Sequence, residues 1–468
     1  MRVVFVTGRL AEPALRRVLA EMAPPFDVGV SVMGINVAAL MTTSWIASRI
    51  DRSIGQSADL VLIPGLVEGD LQILTETVGG RVERGPKDLR ELPRHFGIAE
   101  AISTYGKWDI EILAEINNAP RLSRRALRDA AEYFRISGAD LIDIGCTPGL
   151  PFDDLGGAVR ELTDAGIRVS VDTFDAAEIR AAVSAGAEMV LSVNGSNIDV
   201  VRDLAGTGAR VVAIPDFGGG LDTLEPTLEA LERSSVSYLI DPILEPVGFG
   251  FMASLERYAE VRRRYPDAEM LMGIGNLTEL TAADSTGVNA MLVAVCQELG
   301  VRSVLTTEVA SWTRGAVREV DIARRLMYYA VTSKAIPKGV DDRLLTVKDP
   351  QVLAFTEAEL RALKDRIADP NFRIFADREA ITVLNDRQFV RGHDIFDIFA
   401  QLDVQDPAHG FYLGKELARA SLAVSLGKTY RQEGALAWGY LTPEDDPKRE
   451  HARHGSAPLA APTGDSID

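Results

Sequence analysis

From Lys107 to about Ala330 the chain repeats one unit, an apolar run followed by a turn and a helical pattern. The runs Ile110–Ile116, Leu141–Gly145, Val169–Thr173, Met189–Val193, Val211–Pro215, Ser237–Asp241, Met270–Ile274 and Ser303–Thr307 read as strands. Between them Arg124–Ser137, Asp175–Ser184, Leu224–Arg233, Phe251–Tyr265 and Val288–Leu299 carry apolar residues at helical spacing. Gly138, Gly166, Gly186, Gly208 and Gly300 stand after a helix and before a strand, where a left-handed residue turns the chain. Nearly continuous apolar strands joined by helices imply a parallel sheet covered on its outside. Eight such units close into a (β/α)8 TIM barrel, whose active site lies at the C-terminal ends of the strands.

The flanks follow other patterns. Residues 1–105 predict a small N-terminal α/β domain with strands at Val3–Thr7, Asp27–Val32 and Leu60–Pro64 and helices at Glu12–Met22 and Ala38–Arg49. Thr7 and Gly8 follow its first strand, where a tight turn competes with an anion cradle. Arg81–Arg94 reads as a solvated connector. The barrel is expected over 106–335 and a C-terminal mixed α/β domain over 340–442. In the latter, the segment around 370–392 reads as two strands about an Asn-Asp turn, then a helix at Leu413–Leu426 and a strand at Ala435–Tyr440. Residues 443–468 combine Pro, Gly, Ser and charge without period, the composition of a disordered tail.

Composition narrows the classes of function. The 468 residues are 46% hydrophobic and 25% charged, the balance of a globular chain with room for more than one core. A dispersed net charge of −18 disfavours nucleic acid and anionic membranes as partners. Cys146 and Cys296 supply no disulfide framework and no zinc spacing, which fits a reducing cytoplasm. No run reaches the roughly 18 apolar residues of a membrane span.

The strand ends hold the polar residues. The first offers Glu115, Asn117 and Asn118, and the second Asp143, whose place among apolar neighbours implies a ligand or an internal partner. The next three offer Asp172 and Thr173, then Ser192, Asn194 and Asn197, then Asp216 before a glycine run. The last three end in Asp241 with Glu245 and Phe249, in Asn276, Thr278 and Glu279, and in Thr306, Thr307, Glu308 and Trp312. Neither His nor Lys stands at these ends. Carboxylates and amides around one opening suit a flat ring rich in N–H donors, such as a pterin; a divalent metal is the competing ligand.

SGADLIDIG, RVSVDTF, SAGAEMVLSVNG, LIDPILEPVGFGF and MGIGN together resemble, in order, the strand motifs of the pterin-binding barrel family. That family contains dihydropteroate synthase and the methyltetrahydrofolate:corrinoid methyltransferases. The resemblance implies that Asp172 and Asp241 contact the pterin, joined by Asp143, Asn194 and Phe249, and that Asn117 and Arg318 hold a departing diphosphate. It also implies a reduced pterin as substrate or ligand, with Mg²⁺ accompanying a diphosphate substrate but no protein metal site, and a possible homodimer. The departures are specific. Gly275, Asn276, Leu277 and Thr278 stand where the synthases have Ser-Arg-Lys-Ser, so the pterin-contacting lysine is missing, and CTPGLP lacks the arginine of the aryl-amine loop. Val320 replaces the histidine of the last motif. Asn276 matches instead the methyltransferases' asparagine near N5. The overall plan resembles dihydropteroate synthase-like proteins linked to tetrahydromethanopterin-dependent one-carbon metabolism. That implies a transferase joining a dihydropterin to an aryl amine, with methyl transfer or a non-catalytic scaffold as alternatives.

Overall fold

A computed structural model of the chain describes residues 1–36, 38, 41–86, 89, 92–96, 105–349, 355–432 and 434–442. It divides into two compact units, 1–341 and 342–468. The expected tail over 443–468 lies outside the described residues.

The first unit begins with a parallel sheet of β1 (Arg2–Gly8), β2 (Asp27–Met33), β3 (Leu60–Ile63) and β4 (Val82–Arg84), in the order β2-β1-β3-β4. Alternate side chains enter opposite layers. Val3, Phe5, Leu60 and Leu62 pack with Leu15 and Leu19, whereas Val6, Val61 and Ile63 pack with Met41, Ile46 and Leu74, so both faces are covered. β4 occupies part of the stretch read as a connector. It is an edge strand that buries only Val82, so it leaves no periodic signal in the sequence.

β5 (Glu111–Ile116), β6 (Leu141–Gly145), β7 (Val169–Asp172), β8 (Met189–Val193), β9 (Arg210–Ala213), β10 (Tyr238–Ile240), β11 (Glu269–Gly273) and β12 (Ser303–Thr307) close into a parallel barrel. The helices between them make the chain a (β/α)8 barrel, as the repeat predicts. All five glycines singled out at helix-to-strand turns adopt positive φ, from 74° to 114°. Leu113, Leu141, Met189, Val212, Leu239 and Leu271 fill the barrel's interior. At its lower end Glu111 pairs with Arg168 and Arg210, both at 2.9 Å, so the interior grades from ion pairs through aliphatic packing to the acidic strand ends above.

Closure is fixed from outside by the helix Ala316–Ser333. Its Arg324, 2% exposed, donates to the carbonyls of Ile110 (2.7 Å) and Gly138 (3.1 Å) and pairs with Asp140 and Asp321. One guanidinium thereby ties the last helix to the base of the first two strands. Tight packing makes this possible: a methyl at Gly138 would lie 2.6 Å from the Asp321 Cβ.

In the second unit β13 (Arg373–Ala376), β14 (Ile381–Leu384), β15 (Phe389–Gly392) and β16 (Tyr430–Arg431) form an antiparallel sheet of order β15-β14-β13-β16, packed on the helix Pro407–Leu426. The two strands expected around 370–392 are three. Asp377 makes an extra turn by accepting from the amides of Glu379 and Ala380. The strand expected at Ala435–Tyr440 is absent; β16 takes its place, because Tyr430 is 5% exposed and supplies the buried position at that edge.

Candidate active site at the barrel mouth

The register of the strands gathers the acidic residues. Glu115 pairs with Asp143 across β5 and β6, Gly145 with Asp172 across β6 and β7, and Thr307 with Glu115 across β12 and β5. A strand presents every second residue to the interior. The inward series therefore runs from Leu113 to Glu115 and from Leu141 to Asp143 to Gly145. Gly145 leaves room for the Glu115 carboxylate. A methyl there would lie 2.6 Å from Glu115 Oε1, so the carboxylate rests against the bare backbone.

Asp143 is the deepest of the group and wholly buried. Its Oδ1 accepts from Ser170 Oγ at 2.6 Å, while Oδ2 has no hydrogen-bond partner. Burial, then the Asp172 and Glu115 carboxylates, push it well above the usual range. Burial likewise raises Asp172, which is opposed by a hydrogen bond from Ser192. A β-irregularity between Val190 and Val193 carries Ser192 at φ 65°. Glu115 is pushed up to about 7 by burial, with Asp172 and Glu279 adding to the effect and Asn117 opposing it. Glu115, Asp143 and Asp172 thus share one poorly hydrated enclosure. With Glu115 pushed up to about 7, the enclosure favours a protonated carboxyl, a hydrogen-bond donor, among its acceptors.

Asp241 stands across the opening. Its Oδ1 accepts from the Tyr258 hydroxyl and from the Ile243 amide at 2.8 Å. Burial raises it to about 6 against those two hydrogen bonds and the nearby Arg257. Oδ2 makes no such bond and faces Gly273, where a methyl would lie 3.9 Å from it and 3.5 Å from Asn276 Nδ2. Gly273 is thus the floor between Asp241 and Asn276. Asn276 opens the short helix Gly275–Thr278 and donates to the Leu244 carbonyl at 3.1 Å. Ile243, a β-branched residue at φ 66°, is strained two residues beyond Asp241, and its amide is what anchors the carboxylate.

Other residues singled out in the sequence occupy different positions. Asn117 donates to Glu115 Oε1 at 2.8 Å and accepts from Thr307, so both ends of its amide are engaged. Asn194 is fully buried. It accepts from Ser196, donates to the Pro215 carbonyl at 3.5 Å and organises its own loop. Phe249 is 80% exposed on the loop after β10, and the rings of Phe174 and Phe217 lie 5.5 Å apart after β7 and β9. Arg318 turns along its helix to Asp321 at 3.2 Å. Glu279 fastens the loop after β12, accepting from Val309, Ala310 and Thr313. Sequence reasoning missed the supporting residues Ser170 and Tyr258, and named Ser192 only as one of the polar strand ends. Their spacing carries no motif, and only the register brings them to the carboxylates. Burial pushes the Cys146 thiol up, which disfavours a thiolate nucleophile. Among the described residues no group of three or more His, Cys, Asp or Glu is placed to hold a metal ion.

Residues 118–216 match the family described as pterin binding enzyme. The barrel is of the pterin-binding type. The match contains Asp143, Asp172 and Asn194; Asn117, Asp241, Phe249, Asn276 and Arg318 lie outside it. Residues 1–87 match a separate family of unknown function, DUF6513. An uncharacterized protein of Methanocaldococcus jannaschii is 27% identical, the similarity covering 92% of this chain and 98% of that one. Among solved structures, Yersinia pestis dihydropteroate synthase with a pterine-sulfa conjugate is 17% identical with a TM-score of 0.40, covering 48% of this chain and 95% of that one. Burkholderia cenocepacia dihydropteroate synthase complexed with 7,8-dihydropteroate is 22% identical with a TM-score of 0.38, covering 48% of this chain and 92% of that one.

Proposed function

We propose that the barrel mouth binds a reduced pterin and that the chain is a dihydropteroate synthase-like transferase joining a dihydropterin to an aryl amine. The observation that carries this reading is the position of Asp241. Its inner oxygen is held by Tyr258 and Ile243, and its outer oxygen is left over a glycine floor opposite a cluster of partly protonated carboxylates. An aminopyrimidine edge supplies adjacent N–H donors for such a carboxylate. The cluster of Glu115, Asp143 and Asp172 offers both acceptors and a donor to the rest of the ring. Exposed rings at the rim, Phe249 foremost, give a surface on which a planar ligand stacks.

Catalysis in this reading is positioning and charge stabilisation, with no covalent nucleophile. The pterin's C6 methylene is held for attack by the amine as diphosphate leaves. Arg318 reaches that diphosphate only after releasing Asp321, and Arg121 and Arg314 are further exposed guanidinium groups on the loops after β5 and β12. Mg²⁺ would enter with the diphosphate. The loop after β6, with Thr147 bonded to Asn118 at 3.2 Å, carries no cation for a benzoate carboxylate. That supports an aryl amine without one, as in tetrahydromethanopterin biosynthesis.

Calorimetry with a 6-substituted 7,8-dihydropterin tests the reading. Wild type should bind, and Asp241→Asn should weaken binding by about 1–3 kcal/mol through loss of the charge-assisted pair. Absence of heat with wild type would refute it. The placement of Asn276 beside Asp241, across Gly273, favours a second reading, methyl transfer from a reduced pterin. An assay with a methylated tetrahydropterin and free cobalamin separates the two: turnover lost in Asn276→Ala supports methyl transfer, and no turnover by wild type removes it.

A further inference from the structure

A second cavity lies far from the barrel's acidic residues in sequence, at the C-terminal edge of the N-terminal sheet. It encloses about 240 Å³ and is lined by Thr7, Leu10, Asn36, Leu66, Ile336 and Lys338, among others. Its place follows from topology. In the order β2-β1-β3-β4 the chain leaves β1 toward β2 on one side and reaches β3 on the other. A crevice therefore opens beyond the ends of β1 and β3, the general position of ligands in open parallel sheets.

Several features make this crevice a prepared site. Thr7, at the end of β1, is 3% exposed, lines the cavity, and its hydroxyl makes no hydrogen bond among the described residues. A hydroxyl lining the cavity without a partner is free to donate to or accept from a ligand. The walls are close-set backbone. A methyl on Gly65 would lie 2.5 Å from the carbonyls of Gly85 and Pro86, and one on Gly8 2.9 Å from the Ala38 amide. Phe5, Leu15, Leu62 and Leu92 make the interior apolar.

Charge fixes the other end of the ligand. Among the described residues no carboxylate lines the cavity, and Lys338 at its rim forms no ion pair or hydrogen bond. The helix Glu12–Met22 starts just after the lining residues Leu10 and Ala11, and the carboxylate in its first turn, Glu12, is paired with Arg16 at 2.8 Å. Water occupies about 30 Å³ per molecule in the liquid, so the space suits a single ring rather than a nucleotide. We propose that this cavity binds a small aromatic acid, its ring among the leucines and its carboxylate or phosphate at Lys338.

Saturation-transfer NMR on the full chain, with benzoate, phenyl phosphate and neutral benzyl alcohol as probes, tests this. At least one anionic probe should bind about tenfold more tightly than benzyl alcohol, the difference expected of one charge-assisted contact. Which anion binds better assigns the carboxylate or the phosphate. Lys338→Gln, at an exposed position, should abolish the preference. Ala11→Phe, which fills the cavity, should abolish binding, and Asp241→Asn in the barrel should leave it unchanged. Equal binding of the neutral probe, binding indifferent to Ala11→Phe, or binding lost in Asp241→Asn would overturn the proposal.

Discussion

Glu115 shows how burial turns an ordinary carboxylate into a group that holds its proton near neutrality. Its folded value of about 7 lies above the ordinary 4.5, because Asp172 and the low-dielectric enclosure oppose ionisation. The stability this contributes is full below the ordinary value and is lost as pH rises through about 7. Glu115→Gln removes the titration, so the variant should gain on wild type by about 1–3 kcal/mol between pH 4.5 and pH 8. Denaturant unfolding at the two pH values measures it; a difference independent of pH would show that Glu115 ionises freely. A native sequence that keeps this cost at the mouth keeps it for something other than folding. Asp143 and Asp172 were legible in the sequence as acids in apolar strands. That three carboxylates share one enclosure was not, because it depends on register.

Among the elements, the barrel strands and their helices were legible because each buries a continuous apolar run or a regular stripe. The strand ends differ from the expected ones by at most two residues, and the helix ends by at most three, Val288–Leu299 beginning at Ser285. Where the pattern is thin, reading failed: β4 buries one residue, and the turn at Asp377 interrupts what reads as one strand. The last helix also carries a role that its sequence conceals. Arg318 resembles a family site residue, yet Arg324 two turns on is the more deeply placed, holding Asp321, Asp140 and the Ile110 carbonyl. Replacing Arg324 by Met would leave Asp140 without its cation and Asp321 with only Arg318 and Arg325. A loss of about 3–5 kcal/mol is expected from breaking such a buried network, read as a shifted denaturant midpoint. A change under about 1 kcal/mol, the worth of an exposed pair, would mean that the network does not close the barrel.

On the scale of the molecule, three sheets divide the work. The barrel collects acidic side chains at one end, the N-terminal sheet encloses a separate apolar crevice, and the C-terminal sheet folds around its own core. The overall charge of −18 is no guide to ligand choice, because the acids that matter are those from which water is excluded. No helix among the described residues is long and apolar enough to cross a membrane. A structure of the full chain soaked with a 6-substituted 7,8-dihydropterin tests the central claim most directly. The ring should lie over Gly273 with its aminopyrimidine edge at Asp241 Oδ2 and Asp172 within hydrogen-bonding reach. A mouth empty at saturating ligand, or a pterin bound elsewhere, would contradict it.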